Sequence, residues 1–131
     1  MSRKLRVVRE EEGETFFQPG SVAKMLISPK LTGSKGMDLG ILRLDSQKET
    51  KPNVHPVSEE LFYILKGKGK IIVEDEMGEI SAGMSIYIPP NVSHVFVNTG
   101  EEPLEFILMH SPPEREEDAR NSPWNSKEEG E

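Results

Sequence analysis

Short apolar runs separated by turn residues are the feature that most limits what this chain can fold into. The spaces between the runs are rich in Gly, Pro, Asn and Ser, which are turn residues rather than helix caps. No segment sustains an apolar period of 3.6 residues. The pattern therefore predicts an all-β domain, a sandwich or a barrel, with strands in seven runs: 22–28, 39–45, 60–66, 70–75, 84–88, 94–98 and 104–109.

The length of 131 residues fits one domain with its own core. We place this barrel domain at residues 14–110. Residues 1–13 offer few side chains for burial and are interpreted as an N-terminal tail or an edge strand. Residues 111–131 contain Pro-marked breaks, many acidic side chains and a single large apolar residue, Trp124, so we interpret them as an acidic, disordered C-terminal tail.

Composition excludes several classes of function. The net charge is −7 and no stretch concentrates Lys and Arg, which argues against nucleic acid as a partner. The chain has no cysteine, so a metal site would have only His, carboxylate and amide ligands. No membrane span or signal peptide is readable, and the cytoplasm is the expected location.

Strand alternation places polar side chains on shared faces. Within the run HVFVN, His94 lies on the same face as Phe96, because successive side chains of a strand point to opposite sides. Asn53 and His55 are two residues apart and share a face if that segment is extended. Glu60 opens the next strand on the face that carries apolar side chains. Four potential ligands could therefore point into one barrel interior.

The stretch NVHPVSEELFYILKGKG resembles the first motif of the cupin family. In that motif two His flank one residue, a Glu follows about four residues later, and a Gly ends the strand. Asn53, His55, Glu60 and Gly67 fall on these positions. Asn53 is the important departure, since it stands where the family pattern has its first histidine.

The stretch GMSIYIPPNVSHVFVN resembles the second cupin motif, with Gly83, Pro89, His94 and Asn98 at matching positions. Asn91 replaces a usual Gly, and Asn tolerates the left-handed conformation that a Gly would adopt. The resemblance covers roughly residues 20–110. It implies a small single-domain cupin, a double-stranded β-helix (jelly-roll) barrel of two antiparallel sheets with a metal ion inside.

The resemblance implies that one divalent ion is held by His55, Glu60 and His94, with Asn53 beside them. Fe, Mn, Ni, Zn and Cu are all compatible with these ligand types. An alternative is that Asn53 marks a site that lost its metal and binds a polar ligand through hydrogen bonds alone.

Two assignments within this site are less direct. The spacing of six residues to Gly67 selects Glu60 rather than Glu59 as the ligand. His110 ends the last strand on the face of Phe106 and Leu108, so it could reach the pocket or cap the barrel rim. We favour the rim.

Two functions remain open. The first is a metal-dependent enzyme acting on a small oxygen-rich substrate such as a sugar, a hydroxy acid or a diketone, of dioxygenase, isomerase or lyase type. The second is a non-catalytic module that binds a small molecule. A general base beyond the metal ligands would distinguish the two, and the sequence offers only His110, Tyr63 and Tyr87 as candidates. Fold analogy does not choose between them. A homodimer is also expected, because the outward strand faces are apolar: Leu61, Tyr63, Leu65, Val95 and Val97.

Overall fold

The computed structural model describes residues 4–113. The prediction of a disordered C-terminal tail concerns mainly residues 114–131, which lie outside this range. Within residues 4–113 almost all regular structure is β-strand, so the all-β prediction is confirmed.

Nine strands follow one another within residues 4–113. A 3-10 turn at Glu10–Glu12 precedes the first strand, and a short helix, α1 at Pro29–Thr32, lies between the second and third strands. The strands are β1 (Glu14–Gln18), β2 (Ser21–Ile27), β3 (Asp38–Leu44), β4 (Glu59–Lys66), β5 (Lys68–Val73), β6 (Glu76–Ser81), β7 (Ser85–Ile88), β8 (His94–Asn98) and β9 (Leu104–Ser111).

The strands form two antiparallel sheets. The larger sheet has the order β1-β2-β3-β9-β4-β7, and the smaller sheet has the order β6-β5-β8. Buried and less buried residues alternate along β3, β4, β8 and β9, as expected when one face of each sheet covers a shared interior.

Tight turns occur where the sequence places Gly and Asn. Gly67 and Gly83 have φ values of 90° and 93°, and Asn91 has a φ of 63°. At Gly67 an added Cβ would lie 2.7 Å from the carbonyl oxygen of Pro103. Gly67 is therefore required for both its backbone conformation and the close approach of the neighbouring chain.

Aromatic rings fill the space between the sheets. Phe62, Phe96 and Phe106 contact one another with ring centroids 4.3–5.6 Å apart. Phe106 is fully buried. Met109 is only partly buried and lies on the outer face of the larger sheet, because it alternates with inward-facing neighbours.

A buried amide joins the two sheets. The Asn98 side chain of β8 donates hydrogen bonds to the carbonyl oxygens of Leu44 and Glu102, at 3.0 and 2.9 Å. Its Oδ1 accepts a hydrogen bond from the backbone of Gly100 at 2.9 Å. Asn98, the last position of the second motif, thus fixes the chain reversal between β8 and β9.

Candidate metal centre

Three polar side chains form a row across the larger sheet. The register pairs Asp38 of β3 with His110 of β9, and His110 with Glu60 of β4. Directly paired residues project to the same face, so all three side chains enter the interior. Each is at least nine-tenths buried.

The opposite wall brings two more histidines towards Glu60. His94 begins β8 and exchanges two backbone hydrogen bonds with Asn53, at 3.2 and 3.0 Å. His55 follows two residues after Asn53, and its carbonyl accepts a hydrogen bond from the backbone of Asn91 at 2.7 Å. The Asn91 turn therefore positions the loop that carries His55.

Glu60 lies at the centre of this group. Its Oε1 lies 3.3 Å from His55 Nε2 and 3.1 Å from His94 Nε2. Its Oε2 accepts from His110 Nε2 at 2.9 Å. The ligand atoms of His55, Glu60 and His110 all lie within 4.8 Å of one another, a spacing that one metal ion could bridge.

The structure places every residue predicted for the site on one cavity. Asn53, His55, Glu60 and His94 line it together, and Glu59 is exposed on the other face of β4. Asn53 Nδ2 lies 3.4 Å from His55 Nε2. Of these four residues, His55 and Glu60 belong to the group whose ligand atoms all lie within 4.8 Å of one another, and the third member of that group is His110.

The rim assignment for His110 is wrong. The imidazole is buried, lines the cavity and lies 3.2 Å from His55 Nε2. Alternation along β9, which puts His110 on the face of buried Phe106 and Leu108, already indicated this position.

Sequence reasoning missed Asp38. Its Oδ1 accepts hydrogen bonds from His110 Nδ1 at 2.8 Å and from the His110 backbone at 2.9 Å. Because this bond engages Nδ1, the other ring nitrogen of His110 is directed at Glu60 and His55. Asp38 stands 72 residues from His110 and adjoins no recognised motif, so only the sheet register reveals it.

Burial and charge set different protonation states for two of the histidines. Burial lowers the pKa of His55 to about 4, so this ring is neutral at pH 7. Burial also favours neutral His110, but its hydrogen bonds to Asp38 and Glu60 raise its pKa to about 10. Burial would raise the pKa of Glu60, but the hydrogen bond from His110 and the nearby imidazoles hold it below its ordinary value.

The donor set fits a divalent transition metal. It combines imidazole nitrogens with one carboxylate and contains no thiolate, as expected for an N/O site. The carboxylate of Asp38 behind His110 is the kind of partner that orients a ligating imidazole.

The cluster opens into a cavity of about 650 Å³. Apolar side chains form much of its wall and include Phe16, Met25, Leu42, Phe62, Phe96 and Leu108. A volume of this size is in the range of small-molecule sites.

Within the described residues, no helix is long and apolar enough to cross a membrane.

Comparison with known proteins agrees with this architecture. The family model described as "Cupin domain" matches residues 40–110. Uncharacterized protein MJ1618 of Methanocaldococcus jannaschii is 32% identical over 99 residues, covering 76% of this chain and 79% of the relative.

Solved structures show the same fold. KdgF from Halomonas sp. has a TM-score of 0.71 at 19% identity, with 87% of this chain and 99% of that chain covered. Bacillus subtilis oxalate decarboxylase, a protein with Mn(II) centres, has a TM-score of 0.72 at 23% identity, with 82% and 29% covered. The jelly-roll barrel predicted from the two motifs is therefore confirmed.

Proposed function

This chain belongs to the cupin family, and from that membership and its buried His–Glu cluster we propose that it is a small metal-dependent enzyme. The proposed substrate is a small, oxygen-rich molecule that enters the cavity and reaches a divalent ion. The observation that carries the proposal is the convergence of His55, Glu60 and His110 within 4.8 Å in a buried pocket. His94 adds a further nitrogen beside Glu60.

The metal would be held by Glu60 together with His55 and His110, with His94 and Asn53 next to them. Three protein ligands leave positions open for substrate oxygens, and a bound divalent ion would supply Lewis-acid polarisation of such oxygens. Asp38 orients the His110 ring. The phenylalanine side chains of the wall exclude water from the substrate's non-polar part.

Structural relatives support this class without fixing the reaction. Mn(II) centres are described for the oxalate decarboxylase of Bacillus subtilis, and another structure of similar fold is the polyketide cyclase RemF from Streptomyces resistomycificus. The non-catalytic alternative keeps the same cavity but requires no turnover. Only a measurement of substrate turnover would distinguish the metal-dependent enzyme from this non-catalytic module.

The first experiment measures metal. Elemental analysis of protein purified without added metal should find close to one divalent ion per chain. Calorimetric titration of metal-stripped protein with Mn(II) should then give one site.

The matched variants are Glu60→Gln and Glu59→Gln, which make the same change on neighbouring residues. Glu60→Gln should abolish detectable binding, since it removes the carboxylate at the centre of the cluster. Glu59→Gln should leave binding unchanged, because that side chain is exposed and contacts Tyr87 instead. Equal binding by the two variants would refute the proposed site.

We also propose a homodimer through the outer face of the larger sheet. Leu61, Tyr63 and Tyr87 are 46–53% exposed there and border a shallow groove with Met109. Val95 lies in the other sheet and is half-buried, so it would not belong to the same interface. Sedimentation velocity should give a dimer for the full chain and a monomer for Leu61→Glu.

A further inference from the structure

One buried amide in the cavity has an unused hydrogen-bond donor. Gln18, the last residue of β1, is 3% exposed and lines the cavity. Its Oε1 accepts a hydrogen bond from the backbone of Lys51 at 3.0 Å. This bond fixes the orientation of the amide, so Nε2 is the donor side. Within residues 4–113, Nε2 has no partner.

Buried donors without partners are rare because they lose hydration and gain nothing in return. Two hydroxyls in the described residues, on Ser21 and Ser34, also have none, but neither residue lines the cavity. Gln18 is thus the buried donor that a molecule in this cavity could satisfy.

The cavity lining also includes a cationic side chain outside the metal cluster. Three charged residues line the cavity away from the metal cluster: Glu14, Lys30 and Lys51. Lys30 Nζ pairs with Glu14 Oε2 at 2.7 Å, which neutralises both. Lys51 makes no ion pair in the part of the chain that the structure describes. Lys51 is an exposed residue whose backbone N–H bonds to Gln18 Oε1, and it therefore contributes the remaining cationic side chain of the cavity lining.

The segment that contains Lys51 also connects Gln18 to the metal cluster. Residues 49–53 run alongside β8, with bridges from Glu49 to Val97 and from Asn53 to His94. Lys51 precedes Asn53 by two residues, which is roughly 6–7 Å in an extended chain. A short molecule could therefore contact the Gln18 amide and the metal cluster at the same time.

We propose that Gln18 and Lys51 form a second binding point of the cavity, which takes a carboxylate at the far end of a substrate whose other end meets the metal. Gln18 Nε2 donates one hydrogen bond to this carboxylate, and Lys51 Nζ supplies the opposite charge. The proposal rests on the proposed function, because the metal holds the first end. It narrows the substrate class to short acids that carry a metal-binding oxygen group at the opposite end.

The test uses synthetic ligands that bind Zn(II) through a hydroxamate group. Each has two, three or four methylenes and ends in either a carboxylate or the neutral carboxamide. The hydroxamate end is the same in both members of a pair, so the ratio of their dissociation constants isolates the far end. Zn(II) is chosen because it has no redox chemistry. Titration of the Zn(II)-loaded full chain should show the acid binding about tenfold more tightly at the best length.

Two variants locate the contact. Gln18→Glu keeps the acceptor for the Lys51 backbone but replaces the donor by an oxygen, and Lys51→Met removes the charge while keeping the backbone bond. In each, the preference for the acid should fall below about twofold. Lys48→Met is the control: it removes the same charge from an exposed residue outside the cavity lining, so the preference should remain.

Each variant is first titrated with Zn(II) alone, and its affinity should stay within about twofold of wild type, since neither residue belongs to the metal cluster. If wild type binds the hydroxamates without preferring the acid at any length, the second binding point does not exist, although the metal site stands. A preference that survives both substitutions would also overturn it. If Zn(II) itself does not bind, the proposed function fails, and this proposal fails with it.

Discussion

Loading the metal-free protein with Mn(II) at pH 8 should release one proton for each ion bound. The proton comes from His110, whose pKa is raised to about 10 by Asp38 and Glu60 against the effect of burial. His55, whose pKa burial lowers to about 4, has no proton to lose at this pH. Glu60 is already ionised, because its pKa is lowered. The expected total from these three ligands is therefore one.

The pH dependence of the apparent metal affinity follows from the competition between this proton and the metal ion for His110. One competing proton makes the apparent affinity rise tenfold for each pH unit between about pH 7 and 9, or roughly 1.4 kcal/mol per unit. Calorimetry at pH 8 in buffers of different ionisation enthalpy counts the proton directly. Mn(II) is preferred to Zn(II), because Zn(II) lowers the pKa of a bound water to about 7 and would release a second proton.

Asp38→Asn provides the structural control. The substitution removes the carboxylate that helps to raise the pKa of His110, so proton release at pH 8 should fall below one. Asp45→Asn makes the same change at an exposed position and should leave it at one. Tight binding by wild type with no proton released would refute the assignment of His110 as a ligand. The ion would then sit on the set that the sequence predicted: Asn53, His55, Glu60 and His94.

Three further outcomes are expected. Asn53→His should tighten Zn(II) binding by about tenfold, because an imidazole replaces an amide at a position facing the cluster. Calorimetry measures the affinity, and weaker binding by a folded variant would contradict this expectation. Metal-free protein should be most stable near pH 6.5 in urea titrations. The free energy of unfolding falls as the pH drops towards 4, because the unfolded chain protonates His55 at a higher pH than the folded protein does. It also falls as the pH rises towards 10, because the unfolded chain loses the His110 proton at a lower pH than the folded protein does. A monotonic profile would contradict this expectation. Asn98→Ala should lower the free energy of unfolding by about 2–4 kcal/mol, because it removes three hydrogen bonds, two of them buried and one partly buried. Gln47→Ala, at an exposed position, should lower it by less than about 1 kcal/mol, and equal losses in the two variants would argue against this role of Asn98.

The seven apolar runs all became strands, and the two strands that the pattern missed are both at sheet edges. β1 begins with a polar pair, and β6 buries only Ile80. An edge strand has one neighbour instead of two, and these two carry weak apolar signals. Periodicity therefore predicted the strands that build the interior better than those that border it.

The site was predictable where its residues lie in local motifs. His55, Glu60 and His94 could be identified from the resemblance to the two cupin motifs, and all three line one cavity. Asp38 and Gln18 could not, because their roles depend on cross-strand register and on a loop contact 33 residues away. Register is set by the packing of whole strands, and one sequence does not reveal it.

His110 offers a physical account of how this chain tolerates Asn53. The family pattern has a histidine at position 53, and its replacement by an amide removes one imidazole from the loop side of the cluster. The pairing of β9 with β4 supplies another from the opposite sheet, since His110 lies directly beside Glu60. In the proposed site this exchange has a consequence for chemistry, because the hydrogen bonds to Asp38 and Glu60 raise the pKa of His110, and a bound ion would have to displace its proton. Metal uptake in the proposed site would therefore depend on pH more steeply than in a site built from neutral imidazoles alone.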